Sequence, residues 1–120
     1  MNQTTRRTPK LHRFSELRGR KVFDDSGEEI GTVQDLFLDE DDRQLRYLDV
    51  RAGGFLGLGK RILVIPQEVV AEVTEDRLTL NESRQRVVDS PEFAPGHILE
   101  THDRQAISRH FGGPGGHLGV

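Results

Sequence analysis

The chain has no cysteine. Disulfides, thiolate metal sites and cysteine nucleophiles are therefore excluded, and the composition suits a reducing compartment. Tryptophan is absent, and Tyr47 is the single tyrosine among the 6% of residues that are aromatic. A core built from this chain must be small and aliphatic, and a stacking platform for nucleic-acid bases is poorly supplied. No segment approaches the run of about 20 apolar residues needed to span a bilayer. The charged N-terminus is not followed by the apolar stretch of a secretory signal. These absences give the expectation of a cytoplasmic protein without a membrane span.

Charge is what the chain has in quantity. Lys, Arg, Asp and Glu make up 31% of its 120 residues, so the surface is ionic and well solvated. The net charge of −3 argues against a dedicated nucleic-acid binder. Its distribution is uneven. Arg6, Arg7, Lys10, Arg13, Arg18, Arg20 and Lys21 face only Glu16 in the first 21 residues, whereas residues 22–50 are mostly acidic, opposed by Arg43 and Arg46. A basic arm of this kind can meet a nucleic acid or an anionic membrane; its plainer reading is a solvated leader.

Residues 1–13 read as that flexible leader. A β-region follows from Phe14. Lys21-Val22-Phe23 forms a first strand, with Leu17 anchoring its approach. The turn Asp24-Asp25-Ser26-Gly27 leads into a second strand, Glu29 to Leu38, apolar on one face first and on both later. The acidic turn Asp39-Glu40-Asp41-Asp42 separates it from a third strand, Leu45 to Arg51. A Gly-rich stretch, 53–59, precedes the continuous apolar strand Arg61 to Ile65, which Pro66 ends. Gln67 to Val70 reads as a helical turn. Ala71-Glu72-Val73 and Leu78-Thr79-Leu80 form a hairpin around Thr74 to Arg77. Asn81 is the expected cap of a short helix reaching Asp89, and Pro91 stops it. Residues 91–97 read as a linker. A weakly amphipathic helix over Ile98 to His110 places Leu99, His102, Ala106 and His110 on one stripe, in want of a partner surface. Phe111 opens a Gly-rich tail expected to be disordered. Short strands at regular spacing with late helices predict a mainly β fold: a small barrel or rolled sheet with a short C-terminal helix and flexible tails.

The order of these pieces resembles a known family. Leu17-x-Gly19 stands before Val22, followed by Asp25-x-Gly27-Glu28-x-Ile30-Gly31-x-Val33-x-Asp35-Leu36. Arg46-Tyr47, Gly54-Phe55-Leu56-Gly57-Leu58-Gly59-Lys60, Leu63-x-Ile65-Pro66 and Val69 complete the pattern. Over residues 14–90 it resembles the PRC-barrel domain family, named for the cytoplasmic domain of the photosynthetic reaction centre H subunit. That family also includes the C-terminal domain of a ribosome maturation factor. The resemblance implies a small β-barrel that serves docking or assembly and has no catalysis of its own. Neither the membrane anchor of the H subunit nor the RNA-associated domain of the maturation factor has a counterpart in the pattern, which is that of a stand-alone form.

Each candidate site has a bland competitor. Gly54 to Lys60 formally fits a phosphate loop, but Arg61 stands where Ser or Thr should hold magnesium, and a strand follows where a helix is required. The glycine-hinged connection with surplus apolar Phe55, Leu56 and Leu58 reads better as a protein-contact loop, or else as a lid on the core. Asp39 to Asp42 lack the alternating ligands of a calcium loop and read as a solvated turn. His97, His102, His110 and His117 lie in the tail; His102 and His110 are eight positions apart and cannot easily chelate one ion, even with Glu100 or Asp103 nearby. Ser15, Ser26, Ser83, Ser90 and Ser108 all lie in turn or cap contexts, unsuited to nucleophilic catalysis. Arg18, Arg20, Lys21 and Arg46 can present a basic face for phosphate contact. The resulting expectation is a non-enzymatic docking module without metal or cofactor. It pairs with itself as a homodimer, contacts a protein partner through Gly54 to Lys60, and does not take nucleic acid as its main partner. The competing expectation is a ribosome- or RNA-associated factor using the basic N-terminal segment.

Overall fold

A computed structural model of the chain describes residues 16–53, 61–94 and 96–112. Seven strands form one sheet in the order β5-β6-β1-β2-β3-β4-β7. They are β1 Lys21–Phe23, β2 Glu29–Leu38, β3 Leu45–Ala52, β4 Arg61–Pro66, β5 Val70–Val73, β6 Arg77–Leu80 and β7 Glu92–Phe93. Two helices, α1 Arg84–Val88 and α2 Thr101–Gly112, follow β6 and β7 respectively. The expected mainly β class is what the chain adopts. All pairings are antiparallel except β1 with β6, where Lys21, Val22 and Phe23 run beside Arg77, Leu78 and Thr79. No helix among the described residues is long and apolar enough to cross a membrane.

The strands curl around one aliphatic cluster. Val22, Leu48, Val50, Leu63, Ile65 and Leu78 are all essentially inaccessible to solvent. Two bulges let β2 follow the curve. Ile30 is the extra residue against β1, and Gln34 is the extra residue against β3. The second bulge resets the alternation: Val33 faces inward, and two further steps would bring Asp35 inward too. With Gln34 inserted, Asp35 lies across from Asp49 on the outer face and Leu36 lies across from Leu48 toward the core. Gly31 on β2 faces the β3 backbone with no room for a side chain. A methyl group there would overlap the Arg51 carbonyl oxygen.

One carboxylate ties the first turn to the first helix. Asp24 is buried, and its Oδ1 accepts from the Ser26 backbone at 2.9 Å, the Ser26 hydroxyl at 2.9 Å and the Glu28 backbone at 2.7 Å. Its Oδ2 accepts from the Arg84 backbone N–H at 3.0 Å, at the start of α1. Burial alone would raise this carboxyl, but the hydrogen bonds outweigh it and hold the group below its ordinary value. The cap of α1 itself is Ser83, whose side chain accepts from Arg86 N–H. Asn81, the expected cap, instead donates its backbone N–H to the Val69 carbonyl, and the helix begins two residues later than a cap at that position implies.

The largest departure from the sequence reading is at the C-terminal end. The residues expected to form a linker contain β7, which pairs with β4 through Ile62–Phe93 and Leu63–Glu92. In α2 the buried stripe is Ile107 and Phe111, with Ala106 and His110 half-buried, whereas His102 is exposed. Phe111 does not open a loose tail: it is fully buried, the bulkiest such side chain in the core. The helix therefore finds its partner surface within its own chain. Arg86 and His110 lock the two helices together. The Arg86 guanidinium donates to the His110 carbonyl at 2.7 Å, and His110 Nε2 lies 2.6 Å from the Arg86 carbonyl. A carbonyl can only accept, so that ring nitrogen carries the hydrogen.

Two stability outcomes follow from these contacts. Phe111→Ala should cost about 3–5 kcal/mol in urea unfolding, whereas Ile98→Ala, at a site 79% exposed, should stay within roughly 0.5 kcal/mol. Asp24→Ala should cost about 1–3 kcal/mol at neutral pH, since it leaves buried donors unpaired. Because the folded Asp24 carboxyl lies below its ordinary value of 3.8, its contribution is complete above that value and is lost as pH falls through the lower folded one. The acid limb of a stability-versus-pH curve should therefore be shallower in the variant.

Candidate functional site

The outer face of the sheet carries the chemistry, because the inner face is filled with aliphatic side chains. Register places Arg77, Lys21, Thr32, Arg51, Ile62 and Phe93 in one row across six strands. Neighbouring strands lie about 4.8 Å apart, so three cations and an apolar end share one face. The Arg77 guanidinium rests 4.0 Å from the centre of the Phe23 ring. Lys21 and Arg51 are exposed. At the apolar end the surface opens into a cleft of about 570 Å³. Gln34, Arg51, Ile62 and Phe93 line it together with Arg61 and Glu92, which pair with Nε and Oε1 3.2 Å apart. The bulge at Gln34 is what brings that amide into the cleft.

Further along the same face an ionisable pair is sealed under the chain that follows β7. His97 Nε2 lies 3.0 and 3.2 Å from the two oxygens of Asp49. Their side chains are 8% and 9% exposed. Phe93 and Phe37 pack on the His97 ring with centroids 4.7 and 5.5 Å away. His97 Nδ1 is buried and has no hydrogen-bond partner among the described residues. Burial raises the Asp49 carboxyl above its ordinary value, and His97 opposes that rise. Beside it Asp35 takes the opposite direction: the Arg18 guanidinium at 2.8 Å holds its carboxyl low.

The opposite end of the β2–β3 hairpin is acidic and tightly built. Asp39 Oδ1 accepts from the backbone of Asp41 at 2.7 Å and of Asp42 at 3.2 Å, and Asp42 Oδ1 accepts from Gln44 N–H at 3.0 Å. Arg43 adopts a left-handed backbone with φ of 60° to close the turn. Arg46 pairs with Asp42 at 2.8 Å and with Asp39 at 3.5 Å. The two backbone donors, with Arg46, keep the Asp39 carboxyl below its ordinary value. Asp39 and Asp42 thus brace the turn, and Glu40 and Asp41 are exposed at its tip.

The four basic residues singled out in the sequence are dispersed. Arg18 pairs with Asp35. Arg20 donates to the carbonyls of Thr74 at 2.7 Å and Glu16 at 3.2 Å. Lys21 belongs to the cationic row, and Arg46 braces the acidic tip at the other end of β3. The segment Gly54, Phe55, Leu56, Gly57, Leu58, Gly59 and Lys60 lies outside the described residues, as does His117. Of the other tail histidines, His97 and His110 are engaged as above. His102 turns Nδ1 toward Glu100 at 3.6 Å and Nε2 toward Asp103 at 3.3 Å. Opposite ring nitrogens face the two carboxylates; the three residues each offer one ligand atom within 4.8 Å of the others, in a cluster where Glu100 and His102 are exposed.

Arg51, Arg61, Asp49 and the cleft escaped the sequence reading. The alternation Tyr47-Asp49-Arg51 on β3 is the one signal that could have placed Asp49 and Arg51 together on an outer face. Nothing in the sequence tied His97 to Asp49.

The buried pair has a measurable signature. A carboxyl raised on folding binds its proton more tightly in the folded state, so stability declines as pH rises from the ordinary value of 3.8 through the raised one. Asp49→Asn should flatten that decline in urea unfolding at a series of pH values, while leaving an acceptor for His97. An equally steep decline in the variant would exclude Asp49 as its source.

A family model for the PRC-barrel domain matches residues 9–87. The comparison with curated proteins finds no match. The matched span stops before β7 and α2, so the segment that seals Asp49 and completes the core lies beyond it.

Proposed function

The chain belongs to the PRC-barrel domain family, and on that premise we propose that it is a non-enzymatic docking module of the cytoplasm that associates with itself. The observation that carries this reading is the division of the molecule's surface. The one cleft described above is lined by two guanidinium groups and by apolar Ile62 and Phe93, a combination suited to another polypeptide. The buried Asp49–His97 pair sits under Phe37 and Phe93, the second of which also lines the cleft, and serves to fasten the C-terminal segment to the sheet. A group for general acid–base chemistry has to reach its substrate within hydrogen-bond distance, and this pair offers no such access.

The cationic row of Arg77, Lys21 and Arg51 gives the RNA-associated reading its support. Binding through phosphates alone would weaken steeply with salt. The two readings part on simple measurements. Light scattering over a range of concentrations should give a dimer. A monomer at every concentration would remove self-association and leave docking to a different protein. A salt-dependent affinity for single-stranded RNA, tighter than self-association, would favour the second reading.

A further inference from the structure

We propose that the cleft on the outer face receives the acidic tip of the β2–β3 hairpin from a second copy of the chain. The proposal rests on the self-associating reading above and names the two surfaces that meet.

The surfaces are chemically complementary. On one side, Leu38 is among the few large apolar side chains exposed to solvent, at 39%, and the exposed carboxylates of Glu40 and Asp41 follow it beyond Asp39. On the other side, Ile62 and Phe93 offer an apolar lining for such a side chain, and Arg51 lines the same cleft. Among the described residues neither Arg51 nor the Glu40 and Asp41 carboxylates has an ion-pair partner, whereas Arg61 is shared with Glu92. A carboxylate arriving next to Arg51 therefore gains an uncommitted guanidinium whose planar fork donates two hydrogen bonds to it. Lys21 and Arg77 extend the positive field across the sheet and steer the approach.

The contact can form only between copies. The tip lies where β2 ends and β3 begins, and Arg51 lies six residues along β3 from Leu45, about 20 Å away at strand rise. Both belong to the same stiff ribbon, so a chain cannot fold its own tip into its own cleft. Two copies related by a two-fold axis can each supply a tip and a cleft. That arrangement closes on itself and uses both sites. The tip is also ready to bind: Asp39, Asp42 and Arg46 hold it in one shape, so little conformational freedom is lost on docking.

A charge-exchange experiment tests this. One variant reverses the tip (Glu40→Lys with Asp41→Lys), and the other reverses the cleft (Arg51→Glu). All three positions are exposed, and circular dichroism with a thermal melt checks that each variant keeps the fold. Self-association is followed by sedimentation equilibrium. Wild type should dimerise and weaken on going to about 0.5 M salt. Each variant alone should dimerise at least roughly tenfold more weakly. Their equimolar mixture should recover the dimer, because each reversed tip then meets a reversed cleft and each native tip meets a native cleft. A folded variant that dimerises like wild type overturns the proposal and leaves self-association through another face. So does a mixture that fails to recover. A wild-type monomer overturns both this proposal and self-association, while docking to a different protein stands. Loss of polyuridylate binding in Arg51→Glu, with its dimer intact, would assign the cleft to phosphate and overturn the proposal as well.

Discussion

A rolled sheet this small has an open end, and that end must be filled by something apolar. The strands supply aliphatic side chains of modest size, and 6% aromatic content leaves little to fill a wide gap. Phe111 and Ile107, four residues apart on α2, fill it from one side, and Val87 of α1 fills it from another. An interior at crystal-like density cannot tolerate a void the size of a phenyl ring. The position of α2 is thus fixed by the core, and its fixing sets everything that leads to it. The chain must leave α1, cross beside β4, and reach the start of α2. β7 and His97 are the points where that crossing is fastened to the sheet. A segment beyond the matched family span is in this chain a structural part of the roll.

The crossing also explains why an ionisable pair is buried on a surface that faces outward. Once Phe93 and His97 lie over the outer face, Asp49 loses its water. A buried carboxylate without a partner would be costly. His97 supplies the partner from the covering segment itself, and Phe37 and Phe93 exclude solvent from both. The pair therefore marks a seam. Such pairs add little net stability over an apolar contact of the same size, but they penalise every other register of the covering chain. The uncovered remainder of the face is left with Lys21, Arg51 and Arg77.

The strand plan was legible because its punctuation is chemical. The turns at Asp24–Gly27 and Asp39–Asp42 bracket β2, and Gly27, with φ of 91°, occupies a backbone region that side chains disfavour. The alternation on β3 and the unbroken apolar run of β4 gave those strands directly. What stayed hidden depends on contacts far apart in sequence. Asp24 earns no notice in a turn of four polar residues until Arg84 arrives sixty positions later. β7 is two residues long, too short to alternate, and it exists because β4 has an edge to offer. Phe111 stands before a run of glycines and so reads as the start of a tail; only the vacancy at the end of the roll makes it core. The bulge at Gln34 is similarly silent, yet it turns Asp35 outward and brings an amide into the cleft. The basic residues misled in the opposite sense. Arg18, Arg20 and Lys21 are close in sequence but take different roles, and Arg46 lies at the acidic tip of the β2–β3 ribbon.

That dispersal is itself a consequence of strand geometry. The β2–β3 ribbon is a stiff element with two ends, and its length exceeds the reach of any side chain. At one end, acids are needed to tie a turn whose backbone N–H groups would otherwise lack acceptors, so Asp39 and Asp42 are committed inward. Glu40 and Asp41 must then project. At the other end, cations line the row beside β1 and β6, where Arg77 lies over an aromatic ring. The molecule consequently has opposite charge at opposite ends of one rigid ribbon, the acidic end beside the exposed Leu38 and the basic end beside the cleft lined by Ile62 and the half-buried Phe93. A charge separation held that far apart cannot be neutralised internally. It is neutralised either by salt or by a neighbour, and only a neighbour also covers Leu38 and the Ile62–Phe93 lining of the cleft.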